Sequence, residues 1–477
     1  MRRISIDILG LTSSRSRATF EVASKRPWHY KRYPPFIILL FLVVLWVWLH
    51  RSTEYVTLPE DSFQYLEDKS LNDILNSTLG FQKIFVLNLP DRTDRRDAMT
   101  LSAALTNIKL EYINGVTGES INQKAYPPPD ENIKLLPGIR GSWRTHMKAL
   151  QRIVEQNLTT AFILEDDVDW DIRVRQNLQR FALASRFLAE TNHKLTTRSE
   201  MKSHIEERPN TETESTAFQI IDTTRVPTTL PTIALSSALS ASGHFGEDKN
   251  KCLASPYGDP SQWDILWLGH CGAGMPRIVS NHSTSAQPSS YTPPNLVLTT
   301  PTDATVPLPR YLKAHPFQSD LDALATAFPP QTRIYHRSTG GQLCTVGYAV
   351  SQRGARRLLH QFGVKGWNNI FDAELGRWCA GYDPDMGSAY PKNGDRLHAG
   401  KERVCLTTQP PIFAHHHPMK GESDIGGLGG GYARKYETKY LRYSVRMNLE
   451  GLVDGMGERE LSDQWPDEDE DVNKKIS

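Results

Sequence analysis

Between Tyr33 and Leu49 every residue is apolar, aromatic or Pro, and the core of that run, Phe36 to Leu49, carries no charge. Spanning a bilayer takes roughly 17–25 apolar residues. The run therefore predicts a transmembrane helix over 33–50 at the short end of that range, suited to the thinner membranes of the early secretory pathway. Tyr33, Trp46 and Trp48 lie toward its ends, where amphipathic rings favour the headgroup level. A buried core helix would carry polar positions, and this run has none. A cleaved signal peptide would be followed by small residues, whereas His50-Arg51-Ser52-Thr53-Glu54 follows here.

Residues 51–80 are polar and irregular and read as a stem. At Lys83 the pattern changes. Lys83–Leu89 is a short apolar run rich in β-formers and stopped by Pro90-Asp91, which predicts a buried strand. Thr93 or Asp94 can cap a following helix that carries Met99, Leu101 and Leu105, and Leu110–Ile113 is a candidate second strand. From Ser142 to Gln156, Trp143, Met147, Leu150 and Val154 fall on one helical face. Further strands are predicted at Thr160–Leu164, Gln262–Gly269, Cys344–Val350 and Pro411–Ala414, with a helix over Ser351–His360. Strands alternating with helices predict an α/β sheet covered on both faces. Residues about 192–250 and 273–330, rich in Thr, Ser, Pro and charge, show no periodic apolar face and read as flexible insertions.

Charge adds an orientation. The first 32 residues hold eight Lys or Arg against Asp7 and Glu21, so the positive-inside rule predicts a cytosolic tail over 1–32 and a lumenal remainder. This is the topology of a single-pass type II protein of the endoplasmic reticulum or Golgi. The stretch 451–477, with Asp467-Glu468-Asp469-Glu470-Asp471, reads as a solvated acidic tail. A net charge of +1 over 477 residues carries no nucleic-acid signature. The sequons at Asn76, Asn157 and Asn281 agree with a lumenal placement. The five cysteines allow up to two disulfides with one thiol over, or stay as buried thiols.

The candidate chemistry sits at strand ends. Glu165-Asp166-Asp167 follows the apolar Thr160–Leu164 run, and in an open α/β sheet ligands bind beyond the carboxyl ends of strands. Three adjacent carboxylates repel unless a proton or cation intervenes, and a hard divalent ion is the natural partner. A solvated acidic loop is the alternative. Asn88-Leu-Pro-Asp-Arg92-Thr-Asp-Arg95-Arg96, after the first strand, brings arginines and a helix N-terminus to one corner; it reads as an anion site or as a turn with ordinary salt bridges. His415-His416-His417 follows the last strand, and only alternate histidines can share a side there.

The order of these motifs, Ile84–Arg96, then Gly141-Ser-Trp-Arg-Thr-His146, then Phe162-Ile-Leu-Glu-Asp-Asp-Val168, and later Gly347-Tyr-Ala-Val-Ser351 with Phe371-Asp372, resembles glycosyltransferase family 25. That family includes bacterial lipooligosaccharide and animal collagen galactosyltransferases. The resemblance implies a GT-A type, Rossmann-like nucleotide-sugar-binding domain over 81–450 and a UDP-sugar donor. It also implies Mn²⁺ or another divalent cation, and inversion at the anomeric carbon. Asp167 would bind the metal, with His415 completing its shell or contacting the diphosphate. Glu165 would reach the ribose or a metal-bound water beside Asp166, and Asn88, Arg92 and Arg95 would lie near the nucleotide.

Asp372 is the expected general base toward the acceptor, with Glu374 as the other carboxylate; Asp372 could equally cap a helix. Asp424, in Ser423-Asp424-Ile425, would hold the acceptor or cap a turn. The family often has Gly-Cys before a Ser-His pair where this chain has Gly141-Ser142 before Thr145-His146. The expected function is transfer of a hexose, galactose or glucose, to a hydroxyl of a glycan, protein or lipid. The alternative is an inactive, glycosyltransferase-like binding or scaffolding protein of the secretory pathway.

Overall fold

A computed structural model of the chain describes residues 69–129, 134–194, 218–222, 225–230, 232–241, 255–276, 296–312, 322–338, 340–381, 403–419, 421, 423–425 and 437–467. The expected cytosolic tail, the anchor at 33–50 and most of the stem lie outside these residues. Among the described residues no helix is long and apolar enough to cross a membrane.

The Ile84–Leu87 run forms β1 (Lys83–Asn88), which leads through α1 (Thr93–Leu105) into β2 (Glu111–Asn114). Neither Thr93 nor Asp94 caps α1: Arg92 occupies the N-cap and holds Asp94 in an ion pair instead. Next, α2 (Pro137–Glu155) starts five residues before the predicted helix, with Pro137 at its first turn, where its missing N–H costs nothing. It delivers the chain to β3 (Thr160–Glu165). β1 pairs parallel with β2 on one side and with β3 on the other. The chain order thus reverses between β1 and β3, and a crevice opens beyond their carboxyl ends.

Beyond β3 come β4 (Val168–Trp170) and α3 (Val174–Lys194), followed by a separate two-stranded ribbon, β5 (Phe218–Asp222) and β6 (Arg225–Leu230). β7 (Thr232–Ala234), α4 (Leu235–Ala241), β8 (Ile265–Gly269) and β9 (Val297–Thr300) follow. The last third holds α5 (Ala323–Ala327), β10 (Arg333–Arg337), β11 (Gly347–Ser351) and α6 (Gln352–Leu358). It ends with α7 (Phe371–Cys379), β12 (Cys405–Gln409), β13 (Phe413–His417), β14 (Glu437–Thr438) and α8 (Leu449–Val453). The central sheet runs β2-β1-β3-β11-β8-β12-β10-β9-β7, with β13, β4 and β14 off that path. It is mixed: β11 runs antiparallel to both β3 and β8. The amino end of β11 therefore lies beside the carboxyl ends of β3 and β8, so the loop before Gly347 faces the same crevice.

Strands buried on both faces need cover on both. Phe85, Leu87, Ile163, Ile265, Trp267, Tyr348 and Val350 pack one face against Trp143, Met147 and Leu150 of α2, Leu358 of α6 and Phe371 and Leu375 of α7. On the other face Phe81 stacks on Phe162 and on Tyr257, while Phe181 of α3 meets Tyr257 and Tyr335. Ser351 caps α6 by accepting from Gly354 N at 3.0 Å. Two disulfides form, Cys271–Cys344 and Cys379–Cys405; Cys252 lies outside the described residues.

Four expected boundaries move. The presumed insertion over 273–330 supplies β9 and a second apolar cluster of Val297, Val306, Leu312, Leu324 and Phe328 with Ile334 and Tyr440. The one over 192–250 supplies β7, paired parallel with β9, and the buried Leu235, Ala238 and Leu239 of α4. These elements are too short to impose a period on their polar surroundings. The acidic tail begins later than 451: Leu461 is buried, and Asp463 and Asp467 both pair with Arg442. At the other end, Leu71 and Ile74 of the presumed stem are buried as well.

Candidate active site

The crevice between β1 and β3 is lined by the end of each strand. Asn88, the last residue of β1 and buried, donates from Nδ2 to Asp166 Oδ2 at 2.8 Å and to the Arg92 carbonyl at 3.1 Å. Arg95, in the first turn of α1, reaches back with one nitrogen to Asp166 Oδ1 at 2.7 Å and Asp167 Oδ2 at 2.9 Å. β13 supplies His415, whose Nε2 stands 3.0 Å from the same Asp167 Oδ2. The β13 strand continues through the histidines, so His415 and His417 share a side, with ring centroids 4.2 Å apart. His416 turns away to Thr438 Oγ1 at 3.0 Å.

The electrostatics follow from this packing. Burial and the neighbouring Asp167 raise Asp166, against Arg95. For Asp167 burial acts upward, but His415 and Arg95 outweigh it and hold the carboxyl well below its usual range. Burial alone would lower His415; the Asp167 carboxylate reverses that and raises it. Arg95 is raised as well, because Asp167 and Asp166 outweigh its burial.

Glu165 does not join this group. Its hydrogen bonds run elsewhere: Oε1 accepts from Thr345 Oγ1 at 2.6 Å and lies 3.5 Å from His146 Nε2. Asp372 lies in the first turn of α7. Its Oδ2 accepts from Cys344 N at 2.7 Å and its Oδ1 from Ala373 N at 2.6 Å; it is not the helix cap, a position held by Ile370. Burial raises the Asp372 carboxyl, and Glu165 adds to the effect. Glu374 is buried two residues further along α7. Asp424 pairs with Arg92, and with Arg95 at 3.7 Å, above the arginine corner. The chain can descend there because Gly138 has no side chain: a Cβ on it would sit 2.4 Å from the Asp424 carbonyl.

Arg446, which the sequence did not single out, closes the back of the motif. Its Nη2 donates to the Asp166 carbonyl at 2.7 Å and its Nε to the Val168 carbonyl at 2.9 Å. The segment carrying it is fixed to β4 through the buried Asp169, which accepts from Thr438 Oγ1 at 2.6 Å, from Ser444 Oγ and from Arg446 N at 3.1 Å. His146, which ends the Gly141–His146 motif, is buried, with Nε2 3.3 Å from Thr345 Oγ1.

Among the described residues no three His, Cys, Asp or Glu side chains gather into a ready-made metal cage. The donor set still suits a sparse divalent site. Asp167 Oδ1 and Asn88 Oδ1 are buried acceptors without a hydrogen-bond partner, and His415 lies alongside. A hard cation held by few protein oxygens completes its shell with water and substrate phosphates.

Residues 81–230 match the sequence model of glycosyltransferase family 25 (LPS biosynthesis protein). Over 118 residues, 21% of this chain and 18% of the relative, the identity to procollagen galactosyltransferase 2 of Mus musculus is 27%. Procollagen galactosyltransferase 1-A of Xenopus laevis is 26% identical over 138 residues, covering 27% of this chain and 20% of that protein. A third relative, inactive glycosyltransferase 25 family member 3 of Homo sapiens, is 26% identical over 161 residues, 26% of this chain and 27% of its own length. The matches span about a fifth to a quarter of those relatives. The β1–β3 crevice, with Asn88, Arg95 and the acidic triplet, falls inside the segment, residues 81–230, that matches the glycosyltransferase family 25 model.

Proposed function

We propose that the chain transfers a hexose from a UDP-sugar to a hydroxyl of a glycan, protein or lipid acceptor, with a divalent cation such as Mn²⁺ and inversion at the anomeric carbon. Galactose is the first donor to test, because the procollagen relatives are named for it. The observation that carries this reading is the pairing of two centres at one sheet edge: Asp166, Asp167, Arg95 and His415 on one side, Asp372 and Glu165 on the other.

Arg92 and Arg95 are the cations that would face the diphosphate, in competition with Asp424. Asp167 and His415 would hold the divalent ion, which when bound supplies positive charge against the departing diphosphate. Asp372 takes the proton of the acceptor hydroxyl; its burial raises its basicity toward that task. The fold that fits is GT-A type. The expected setting is lumenal, behind the 33–50 anchor in a Golgi or endoplasmic reticulum membrane.

A second reading, a binding or scaffolding protein without turnover, is favoured by one observation: Arg95 already engages both Asp166 and Asp167. A relative named as inactive stands beside it. A donor screen decides between the two. The chain is incubated with each common UDP-sugar and Mn²⁺, and free UDP is read. Release from one sugar above the others supports transfer, whereas UDP binding without release from any supports scaffolding.

A further inference from the structure

Two consecutive residues each hold one carboxylate at the crevice. Cys344 N donates to Asp372 Oδ2 at 2.7 Å, and Thr345 Oγ1 donates to Glu165 Oε1 at 2.6 Å. The loop that presents them is fixed: Cys344 sits at φ 65° and is tied by its disulfide to Cys271. Behind Thr345 lies a directional array. An ionised carboxylate only accepts, so the Thr345 hydroxyl must donate to Glu165 and can accept only from behind. His146 Nε2 stands 3.3 Å from that hydroxyl, and His146 Nδ1 is 2.9 Å from Tyr348 OH. A neutral imidazole therefore carries its proton on Nε2 and accepts from the tyrosine at Nδ1. Both rings are buried, and His146 stacks on Phe371, the neighbour of Asp372, at 4.5 Å.

We propose that Glu165 belongs to the acceptor side of the site, holding a second hydroxyl of the acceptor next to the one that reacts, with Tyr348–His146–Thr345 as the array that aims it. The inference rests on the transferase reading above. It departs from the expectation that Glu165 serves the nucleotide. The hydrogen bonds of Glu165 run to Thr345 and not to Arg95 or His415, which hold Asp166 and Asp167, although its charge is still felt at His415; residues 344 and 345 join it to Asp372.

In the transfer step Asp372 receives the proton of the reacting hydroxyl, whose oxygen forms the bond to the anomeric carbon. The sugar–phosphate bond breaks and its electron pair leaves with the diphosphate. Glu165 neither gains nor loses a proton: it accepts a hydrogen bond from the neighbouring hydroxyl and so fixes which hydroxyl faces Asp372. The substrate class this fits is a polyol, a sugar residue or another acceptor with adjacent hydroxyls.

The test uses the full chain, UDP with Mn²⁺ as the binding probe, and UDP-galactose as donor, with water or added lactose as acceptor. Glu165→Gln should bind UDP with Mn²⁺ within about twofold of the unsubstituted chain, while Asp167→Asn loses about tenfold or more. With lactose, Glu165→Gln and Thr345→Val should raise the acceptor KM about tenfold; Thr345→Ser should restore the KM. If lactose is not accepted, the binding comparison still decides. Loss of UDP affinity in Glu165→Gln to the level of Asp167→Asn overturns the assignment and returns Glu165 to the nucleotide. An unsubstituted chain that binds no UDP sinks the transferase reading itself, a result distinct from failure of Glu165 alone.

Discussion

Arg446 Nη2 donates to the backbone carbonyl of Asp166 at 2.7 Å from 280 residues further along the chain. Its Nε donates to the Val168 carbonyl at 2.9 Å, so one guanidinium spans the turn that carries Asp167. Lysine keeps the charge but has no planar fork to hold two carbonyls at once. Arg446→Lys should therefore loosen the acidic turn and weaken UDP–Mn²⁺ binding about tenfold, near 1.4 kcal/mol. Titration calorimetry reads this directly. Unchanged affinity with an unchanged melting curve would remove Arg446 from the site's support.

Asp167→Asn and Asp372→Asn should separate donor from acceptor. The first removes the carboxylate that faces His415 and Arg95. It should weaken metal-dependent UDP binding and slow transfer by about a hundredfold or more, near 3 kcal/mol. The second leaves that centre intact and should slow transfer while UDP and Mn²⁺ bind as before. Normal turnover in Asp372→Asn would move the search for the base to Glu374 or Asp424.

Acid should destabilise the fold well before the carboxylates titrate. His270 and His336 are buried, and burial pushes each down to about 4. His270 Nε2 donates to the Thr408 carbonyl at 2.9 Å, while His336 donates from Nδ1 to the Arg337 carbonyl at 2.6 Å and accepts from Gln409 at 2.9 Å. A second proton on either ring has no acceptor among these partners. Because the folded values lie below the unfolded value near 6.5, the unfolded chain binds more protons as pH falls. The stability these neutral rings contribute is full above about pH 6.5 and lost progressively toward pH 4, at most about 3 kcal/mol for each ring. Denaturant midpoints across pH 4–8 check the slope, and His336→Gln should flatten part of it.

Asp303 ties the segment after β9 to Arg333 of β10 and Arg180 of α3. It is fully buried, receives Arg333 Nε at 2.8 Å and Arg180 Nη1 at 3.0 Å, and its carboxyl is held far below the usual range: burial acts upward, but the two arginines outweigh it. Asp303→Asn leaves Arg333, itself 1% exposed in its side chain, without its counter-charge. Removing one partner of a buried pair commonly costs about 3–5 kcal/mol. Denaturant unfolding of that variant should show a loss of this size with the UDP–Mn²⁺ comparison unaffected, since Asp303 lies away from the acidic triplet's partners.

The sequence made the strand-end chemistry legible because β1 and β3 are continuous apolar runs, and Asn88, Arg95 and the acidic triplet follow them within a few residues. Asp372 is legible only through the family resemblance, and strand alternation lets only alternate histidines share a side. It missed what depends on long-range polar contact. Thr345 meets Glu165 across 180 residues, and Arg446 meets Asp166 across 280. No periodicity marks either residue, since their partners are a carboxylate and backbone carbonyls rather than an apolar face. β9 escaped for a related reason: Val297–Thr300 is four residues in a Pro- and Ser-rich setting, and its pairing with β10 and β7 reveals it.

The two disulfides make the last comparison. Cys271–Cys344 closes a separation of 73 residues and Cys379–Cys405 one of 26. Loop-closure entropy in the unfolded chain scales with the logarithm of that length, so removing either should destabilise by about 3–4 kcal/mol, the first slightly more. Their effects on chemistry should differ. Cys344 presents its own N–H to Asp372, whereas Cys379 ends α7 at the far side from that carboxylate. Freeing Cys344 by Cys271→Ser releases the loop that bears both this N–H and the Thr345 hydroxyl. Below the melting range of both variants, Cys271→Ser should lose transfer activity about tenfold or more while retaining UDP–Mn²⁺ affinity, and Cys405→Ser should keep most of both. Equal activity loss in the two variants, at matched folded fraction, would mean that the Cys271–Cys344 bridge supports the fold and not the aim of Asp372.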